Sequence, residues 1–423
     1  MDVIRVEGGH KLHGTVHVGG AKNSALKLMA ATMMAPGVYH LSNVPNISDV
    51  GLMGQVLTML GASVDYDETQ HRLTIDTSAA DKWVTPYELV SKMRASISIL
   101  GPLITRFKHA VVAMPGGCNI GARSIDQHLA GLKMLGVHFD NDHGDIVADA
   151  SSGLKGALVT LDFPSVGATE NIMMGAITAK GTTIIENAAR EPEIVDLANM
   201  LNKMGADVRD AGSHVVEIHG VDELHACDHT TVGDRIEAGT FLVAGALSAD
   251  ELTVEGFNPV HLDIPLRKME YMGIRVERGE NRVTVCAPEK TLVPADIQTL
   301  PFPGFPTDMQ AQFMVLATQA NGSSFITENV FENRFMLVAD LIRMGAEIRV
   351  EDRHALVKGP VKLMGARVKS PDLRGGAALV LAGLIAEGYT LVSDTFHIKR
   401  GYEAFVEKFN AIGAVMAHID MPD

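Results

Sequence analysis

Cysteine and aromatic residues are scarce in this chain of 423 residues, which contains three cysteines and one tryptophan. Cys118, Cys227 and Cys286 are widely spaced and form no CxxC pair, which disfavours both a disulfide framework and a zinc site. A signal-peptide core is also lacking, and the longest apolar stretches are far shorter than the roughly 20 residues of a membrane span. We therefore expect a cytoplasmic protein that does not enter a membrane.

Excess positive charge is lacking as well, since the formal net charge is -15. A protein of this charge has no basic surface of the kind that binds nucleic acid, so nucleic acid is set aside as the main partner. It can still bind an anionic small molecule where arginine and lysine side chains converge. The length exceeds that of one ordinary core and predicts two domains or a repeat architecture.

A short phrase of the type Met-Gly-Ala recurs along the chain at intervals of about 70 residues. Its glycines are Gly61, Gly136, Gly205, Gly273, Gly345 and Gly413. Each follows an amphipathic segment and precedes residues that alternate between apolar and polar. The pattern predicts six helices, each ended by a glycine in the left-handed conformation and followed by a strand.

A second kind of segment, apolar nearly all round, also occurs in each repeat and predicts a buried helix. Examples are residues 23–31, 167–176, 238–246 and 375–386. With two helices and several strands per repeat, the sequence predicts an α/β fold of six pseudo-symmetric units in two lobes of three. Clefts between lobes commonly bind ligands, so we expect the active site there.

Two glycine-rich segments in the first third of the chain carry candidate site residues. Lys22, in Gly-Gly-Ala-Lys-Asn-Ser, opens a buried helix, where a helix N-terminus and a cation attract anions; the alternative is a solvated lysine. Cys118, in Pro-Gly-Gly-Cys-Asn-Ile-Gly-Ala-Arg, precedes a helix and Arg123, an arrangement that favours a reactive thiolate. Cys227 and Cys286 are interpreted as small buried apolar residues.

Acidic and basic candidates follow in the last third of the chain. Asp308, in Phe-Pro-Thr-Asp-Met-Gln, follows two prolines at the start of an apolar helix. It is either a carboxylate held rigidly in the active site or an ordinary first-turn acid. Arg334, Arg374 and Arg400 begin helices at similar points of successive repeats, a pattern that favours an anion site over scattered surface ion pairs.

Together these motifs resemble the UDP-N-acetylglucosamine 1-carboxyvinyltransferases over nearly the whole chain. The resemblance also rests on Ser-Val-Gly-Ala-Thr at 165–169, Ala-Arg-Glu-Pro-Glu at 189–193 and Asp-Leu-Arg at 372–374. It implies two lobes of three βαβαββ-like repeats, residues 22–232 and residues 1–21 with 233–423. It also implies enolpyruvyl transfer from phosphoenolpyruvate to the 3′-hydroxyl of UDP-N-acetylglucosamine, without a cofactor or metal, as the first committed step of peptidoglycan synthesis.

The resemblance also assigns roles to individual residues. Lys22, Arg123 and Arg400 are expected to hold the phosphate, and Arg334 and Arg374 the carboxylate. Asn23 is expected to contact the sugar. The residues expected to contact the uridine diphosphate are Arg123, Ser124, Ile125, Asp126, Gln127, Ser165, Val166 and Gly167. Further residues expected to bind substrates are Arg94, Asp308, Val330 and Asp372.

Two residues are expected to move protons. Asp308 matches the base that takes the proton of the attacking hydroxyl, and Cys118 matches the acid that protonates C3 of phosphoenolpyruvate. The alternative for Cys118 is covalent addition to that substrate. A cysteine at this place also implies alkylation by the epoxide fosfomycin, whereas members of the family with aspartate there are insensitive to it.

Two departures from the family pattern stand out. Phe163 occupies a place where some relatives carry a lysine near the diphosphate, and the Gly375-Gly376 pair replaces small residues other than glycine. We expect the first to change part of the nucleotide contact and the second to loosen the support of Arg374.

Three alternatives stay open at this point: the sister 5-enolpyruvylshikimate-3-phosphate synthases, the RNA 3′-phosphate cyclases, and a paralogue without activity. The Pro-Gly-Gly-Cys loop disfavours the first, the net charge the second, and the presence of all proposed catalytic residues the third. We expect a monomer or weak homo-oligomer whose lobes close when UDP-N-acetylglucosamine binds first.

Overall fold

The computed structural model describes residues 2–85, 87–90, 94–114, 125–288 and 290–421, except for the side chain of Arg94. The helices among them are α1 (Lys22–Ala31), α2 (Ser48–Met59), α3 (Tyr87–Val90), α4 (Leu100–Phe107), α5 (Asp126–Met134), α6 (Val166–Ala176), α7 (Pro192–Lys203), α8 (Arg235–Ser248), α9 (Asp263–Tyr271), α10 (Gln310–Ala317), α11 (Val338–Arg343), α12 (Leu373–Ile385), α13 (Phe396–Lys399) and α14 (Phe405–Ala411). No helix in these ranges is long and apolar enough to cross a membrane.

The strands form sheets of three or four members. They are β1 (Asp2–Glu7), β2 (Leu12–His17), β3 (Val38–Ser42), β4 (Ser63–Asp67), β5 (Arg72–Asp76), β6 (His109–Ala113), β7 (His138–Asp142), β8 (Asp145–Asp149), β9 (Leu158–Thr160), β10 (Thr182–Glu186), β11 (Asp207–Arg209), β12 (Val215–His219), β13 (Asp228–Thr230), β14 (Ala249–Glu255), β15 (Arg275–Arg278), β16 (Arg282–Cys286), β17 (Ile297–Gln298), β18 (Gly322–Thr327), β19 (Glu347–Glu351), β20 (His354–Gly359), β21 (Arg367–Lys369), β22 (Tyr389–Ser393) and β23 (Val415–Asp420).

Each of the six repeat glycines is the second residue after the end of a helix, and all have positive φ angles between 94° and 104°. They follow α2, α5, α7, α9, α11 and α14, and a strand begins two residues after each of them. Glycine adopts this left-handed conformation without the steric penalty of a Cβ atom, and so it ends each helix. The prediction of six glycine-terminated helices is confirmed.

Five of the six sheets share one pairing scheme, and the sixth has three antiparallel strands, β6-β8-β7. In those five, the strand after the buried helix has a parallel neighbour on one side and an antiparallel one on the other. In the third repeat, β10 lies between β9 and β12, and β11 pairs with β12. The order β9-α6-β10-α7-β11-β12 is a βαβαββ unit, which confirms the predicted fold class.

The N-terminal strands complete sheets that are otherwise built from the second half of the chain. β1 lies between β22 and β23, antiparallel to both, and takes the place of the second hairpin strand in the last repeat. β2 pairs in parallel with β14. The first residues of the chain therefore fold with the last ones.

The described residues divide into two compact units. One contains residues 2–19 and 233–421, and the other residues 20–114 and 125–232. The first boundary thus lies at 19/20, two residues from the sequence-based one at 21/22. Each unit has its own apolar core.

Helices without a polar face fill each core. In the first unit, α8, α10 and α12 pack against one another, and 13 of the 14 residues of α8 are buried. Such helices are stable only when other parts of the protein surround them. Their burial therefore fixes the positions of the side chains on their first turns. Several candidate site residues lie at the N-terminal ends of α1, α5, α6 and α12, and Asp308 lies in the turn before α10.

Candidate active site

Asp308 lies in a short 3-10 turn, Thr307–Met309, that leads into α10. Its Oδ1 accepts a hydrogen bond from Arg334 Nη2 at 2.5 Å, and its Oδ2 accepts one from Arg374 Nη2 at 3.1 Å. The side chains of the arginines are 5% and 3% exposed, against 23% for Asp308. Two buried cations therefore converge on one carboxylate, which is not the environment of an ordinary first-turn acid.

Arg374 is held in the first turn of α12 by the cap of that helix. Asp372 accepts hydrogen bonds from the backbone N–H groups of Arg374, at 2.9 Å, and Gly375, at 3.1 Å. Arg334 also lies 3.9 Å from the Asp372 carboxylate. Asp372, expected as a substrate contact, thus caps the helix that presents Arg374, a role worth about 1 kcal/mol of helix stability.

The Gly375-Gly376 pair lies where the turn before α12 packs closely against that helix, and the expected loosening of the support of Arg374 stays a prediction. A Cβ atom on Gly376 would lie 2.1 Å from Ser370 Oγ, and one on Gly375 would lie 2.8 Å from Pro371. The Ser370 hydroxyl fills this space and donates to the Asp372 carbonyl at 3.1 Å. The glycines let the capping turn pack tightly against α12, and Arg374 is 2% exposed.

Arg400 immediately follows α13. Burial, and then the charge of Arg400, lowers the pKa of His397, while the charge of Asp372 opposes that shift. The charges of Arg400 and of Asp372, the capping residue of α12, therefore both act on the His397 imidazole. Since α13 packs against α12, whose first turn carries Arg374, the segment that ends in Arg400 adjoins that helix within the same unit.

Glu328 is a buried carboxylate that the sequence-based reasoning missed. It accepts hydrogen bonds from Thr307 Oγ1 at 2.9 Å and from the backbone N–H of Val330 at 2.8 Å. Thr307 adjoins Asp308, and Val330 is an expected substrate contact. Glu328 thus ties the turn that carries Asp308 to the loop that leads to Arg334, although no motif in the sequence marks it.

In the second unit, Lys22 and Asn23 form the first turn of α1. Lys22 Nζ lies 2.9 Å from the Asp49 carboxylate, and both side chains are buried, whereas Asn23 is exposed. Ser24 donates to the buried Asp196, which also accepts from His229 at 2.8 Å. Lys22 is therefore not a solvated lysine: it is a buried cation on a firmly held helix start.

The residues expected to contact the nucleotide converge at two helix starts. Asp126 and Gln127 open α5, and the side chain of Gln127 accepts from the backbone N–H of Phe163 at 3.3 Å. Ser165 caps α6 by accepting from Ala168 N at 3.3 Å. The described members of this set, which also include Ile125, Val166 and Gly167, are thus brought together although 40 residues separate them in sequence.

Four predicted site residues cannot be placed with their side chains. Cys118, Arg123 and Ser124 lie outside the described residues. The backbone of Arg94 begins a 3-10 helix that packs against α1 and α6, and its side chain is not described.

A buried ion pair links the two helices that carry Lys22 and Ser165. Lys27 Nζ on α1 lies 2.6 Å from Glu170 on α6, whose side chain is 0% exposed. Burial raises the pKa of Glu170, the charge of Lys27 opposes that shift, and Glu193 and Glu191 add to it. The signal that sequence reasoning missed was a charged residue inside an otherwise apolar helix.

The other two cysteines differ from the expectation of fully buried residues. Cys227 and Cys286 are half-buried and form no disulfide. Cys286 lies on β16, on the side of the strand away from Val283 and Val285, which explains its partial exposure.

The chain has clear relatives among known proteins. Residues 6–409 match the family described as EPSP synthase (3-phosphoshikimate 1-carboxyvinyltransferase). The chain is 49% identical to UDP-N-acetylglucosamine 1-carboxyvinyltransferase 2 of Staphylococcus saprophyticus over 415 residues, 98% of each chain. It is also 49% identical to UDP-N-acetylglucosamine 1-carboxyvinyltransferase 1 of Staphylococcus aureus over 421 residues, 99% of this chain and 100% of the relative.

Solved structures share the fold. The enolpyruvyl transferase NikO from Streptomyces tendae superposes with a TM-score of 0.90 at 28% identity, covering 100% of this chain and 99% of the other. EPSP synthase from Acinetobacter baumannii superposes with a TM-score of 0.76 at 18% identity, covering 99% and 100%. The latter likeness supports the fold alone.

Proposed function

The chain belongs to the EPSP synthase family of enolpyruvyl transferases, and from this premise we propose that its acceptor is UDP-N-acetylglucosamine. The enzyme transfers the enolpyruvyl group of phosphoenolpyruvate to the 3′-hydroxyl of that sugar nucleotide and releases phosphate. The observation that carries the proposal is the pairing of Asp308 with Arg334 and Arg374. It combines a candidate base with two cations suited to an anionic donor.

The reaction proceeds by addition and then elimination. The 3′-oxygen forms a bond to C2 of phosphoenolpyruvate and gives up its proton, while C3 gains a proton and becomes a methyl group. In the second step the bond from C2 to the phosphate oxygen breaks, phosphate leaves with that electron pair, and C3 loses a proton. The double bond between C2 and C3 is then restored, and no redox change occurs.

In this scheme Asp308 takes the proton of the 3′-hydroxyl. Charge-assisted hydrogen bonds from two guanidinium groups hold its carboxylate in one orientation, as general-base catalysis requires. Cys118 protonates C3, with covalent addition to phosphoenolpyruvate as its alternative role. The assignment of Cys118 rests on sequence alone.

The cations divide between the two charged ends of phosphoenolpyruvate. Arg334 and Arg374 serve the carboxylate, and Lys22, Arg123 and Arg400 serve the phosphate. Lys22 and Arg374 sit on the first turns of buried helices, so their positions are largely fixed before the substrate arrives. Fixed charges in a desolvated site stabilise developing charge without reorganising, which lowers the barrier more than the same charges do in water.

The nucleotide is assigned to the paired helix starts of α5 and α6. Free N–H groups at helix N-termini favour phosphate oxygens, and Gln127 fixes the spacing of the two starts through the Phe163 backbone. The contact uses that N–H and not the aromatic ring, so a phenylalanine in place of a lysine leaves this link intact. Asn23, exposed beside Lys22, is assigned to the sugar.

The remaining proposals concern the cell. Because phosphoenolpyruvate and UDP-sugars are cytosolic metabolites, the enzyme acts in the cytoplasm, as a monomer or weak homo-oligomer. Its product feeds peptidoglycan synthesis.

The test is phosphate release from phosphoenolpyruvate with each of two acceptors, UDP-N-acetylglucosamine and shikimate 3-phosphate. Release with the sugar nucleotide alone supports the proposal. Release with shikimate 3-phosphate would move the chain to the sister activity. A chain that binds UDP-N-acetylglucosamine but releases phosphate with neither acceptor would be an inactive paralogue.

A further inference from the structure

Behind the Asp308–Arg374 pair, a closed ring of buried polar side chains connects the two residues by a second route. Its members are Tyr402, Thr240 and Gln312, which are 3%, 0% and 0% exposed. They come from three different segments: Tyr402 follows α13, Thr240 lies on α8 and Gln312 lies on α10. The sequence predicts no role for any of them, although Tyr402 and Gln312 lie within the motifs around Arg400 and Asp308.

The ring is closed by short contacts. The Arg374 guanidinium carbon lies 5.3 Å from the centre of the Tyr402 ring. The Tyr402 hydroxyl is 2.9 Å from Thr240 Oγ1. Gln312 Nε2 donates to Thr240 Oγ1 at 3.1 Å and to the backbone carbonyl of Asp308 at 3.0 Å.

The direction of these hydrogen bonds follows from the number of protons available. Thr240 has one hydroxyl proton, and it is donated to the Ile236 carbonyl at 2.9 Å. Thr240 Oγ1 must therefore accept from both Gln312 and Tyr402, so Tyr402 is the donor. Reversing the Gln312 amide would turn its oxygen toward the Asp308 carbonyl, an acceptor, which fixes the amide orientation as well.

Because the Tyr402 hydroxyl donates its proton to Thr240, the lone pairs of the Tyr402 oxygen take no part in that hydrogen bond. The aromatic face of Tyr402 and its oxygen are both attractive to the Arg374 cation. The hydroxyl bond to Thr240 fixes the tilt of the ring on which that cation rests. Burial raises the pKa of Tyr402, and the charge of Arg374 opposes that shift, so the hydroxyl remains a donor at neutral pH.

We propose that Tyr402, held by Thr240 and Gln312, is a positioning residue that fixes Arg374 and Asp308 relative to each other for enolpyruvyl transfer. The proposal rests on the proposed function, because it assumes that Arg374 binds the carboxylate of phosphoenolpyruvate. Tyr402 itself touches neither of the reacting groups. It acts through Arg374 on one side and, through Thr240 and Gln312, on the backbone of Asp308 on the other.

The test compares Tyr402→Phe, which keeps the ring and removes only the hydroxyl, with Thr240→Val and Thr240→Ser. Loss of the free energy of one hydrogen bond corresponds to a decrease in rate of about 5- to 10-fold. We therefore expect kcat to fall by this factor in Tyr402→Phe and Thr240→Val. Thr240→Ser, which keeps the hydroxyl, is expected to stay within about twofold of wild type. The matched control is Tyr271→Phe, at a position 65% exposed in the same unit.

Two further readouts separate positioning from a general loss of structure. The KM for UDP-N-acetylglucosamine is expected to stay unchanged, whereas calorimetric binding of phosphoenolpyruvate alone weakens in Tyr402→Phe. The double variant Tyr402→Phe/Thr240→Val is expected to lose no more activity than Thr240→Val alone, because Thr240→Val already removes the partner of the Tyr402 hydroxyl.

The proposal is overturned if Tyr402→Phe keeps kcat within twofold and binds phosphoenolpyruvate like wild type. It is also overturned if Thr240→Ser loses as much activity as Thr240→Val, or if the losses in the double variant multiply. A wild-type enzyme that released no phosphate would refute the proposed function instead. The calorimetric comparison would then still decide whether Tyr402 positions Arg374.

Discussion

Replacing Asp308 by asparagine tests the geometry and the chemistry of the site with one change. The substitution keeps the size of the side chain and removes its charge and its capacity to take a proton. It leaves Arg334 and Arg374 buried without the carboxylate that now joins them. Both stability and turnover are therefore expected to fall.

The expected loss of stability follows from the burial of the three partners. Removing one member of a fully buried ion pair costs about 3–5 kcal/mol. Because 23% of the Asp308 side chain is exposed, water screens part of its charge. We expect the free energy of unfolding to fall by about 2–3 kcal/mol. Turnover is expected to fall by at least about 100-fold, the lower end of general-base contributions.

The chain offers a matched control for this variant. Asp263 also pairs with two arginines, Arg267 at 2.7 Å and Arg278 at 2.6 Å, but all three lie at the surface. Solvent-exposed pairs contribute at most about 1 kcal/mol each. Asp263→Asn is therefore expected to lose less stability than Asp308→Asn and no turnover.

The measurements are urea denaturation and phosphate release, made on both variants in the same buffer. Phosphoenolpyruvate is expected to restore part of the stability of Asp308→Asn, because its carboxylate supplies the missing negative charge. Equal destabilisation of the two variants would contradict the role given to burial. An Asp308→Asn enzyme that kept more than a tenth of its turnover would contradict the role of Asp308 as base.

Three further predictions concern other parts of the chain. Burial raises the pKa of Glu170 from 4.5 to about 7, so the folded state holds this proton longer than the unfolded chain does. The contribution of Glu170 to the free energy of unfolding is fully present below pH 4.5 and is lost as the pH rises through 7. The loss amounts to at most about 3 kcal/mol. In urea denaturation, the free energy of unfolding is expected to fall less between pH 5 and pH 8 in Glu170→Gln than in wild type. An equal fall in the two proteins would refute this. Gly376→Ala places a methyl group against Ser370 and is expected to cost about 1–3 kcal/mol in thermal unfolding. Gly51→Ala, where a Cβ meets nothing within 4 Å, serves as its control, and equal melting temperatures would contradict the packing argument. Cys118→Asp is expected to retain phosphate release and lose covalent labelling by fosfomycin in mass spectra; labelling of the variant would place the reactive group elsewhere.

The repeat architecture was accessible from the sequence because local rules determine it. A glycine that ends a helix needs only its own conformation, and so Gly61 and Gly413 are recognisable without any tertiary information. The buried helices were recognisable because they lack a polar face. The pairing of β1 with β22 and β23 joins opposite ends of the chain, and no local pattern predicts it.

The candidate site was likewise predictable from the sequence only in part. Motifs identified Asp308, Arg334 and Arg374 as separate candidates, but not that one carboxylate joins both arginines. The motifs assign no role to residues that only support others, as Glu328 and Tyr402 show. Their positions depend on how segments far apart in sequence pack, which composition and spacing do not encode. The roles of individual site residues remain predictions.

The most direct test of the central claim is the reaction run in deuterium oxide, with the sugar-nucleotide product analysed by mass spectrometry and NMR. Addition followed by elimination forms a methyl group at C3 and then removes one hydrogen from it. We expect a UDP-N-acetylglucosamine heavier by one enolpyruvyl unit, joined through its 3′-oxygen, with deuterium in the vinyl group. An enolpyruvyl product without deuterium, or phosphate released with the sugar nucleotide unchanged, would contradict the account.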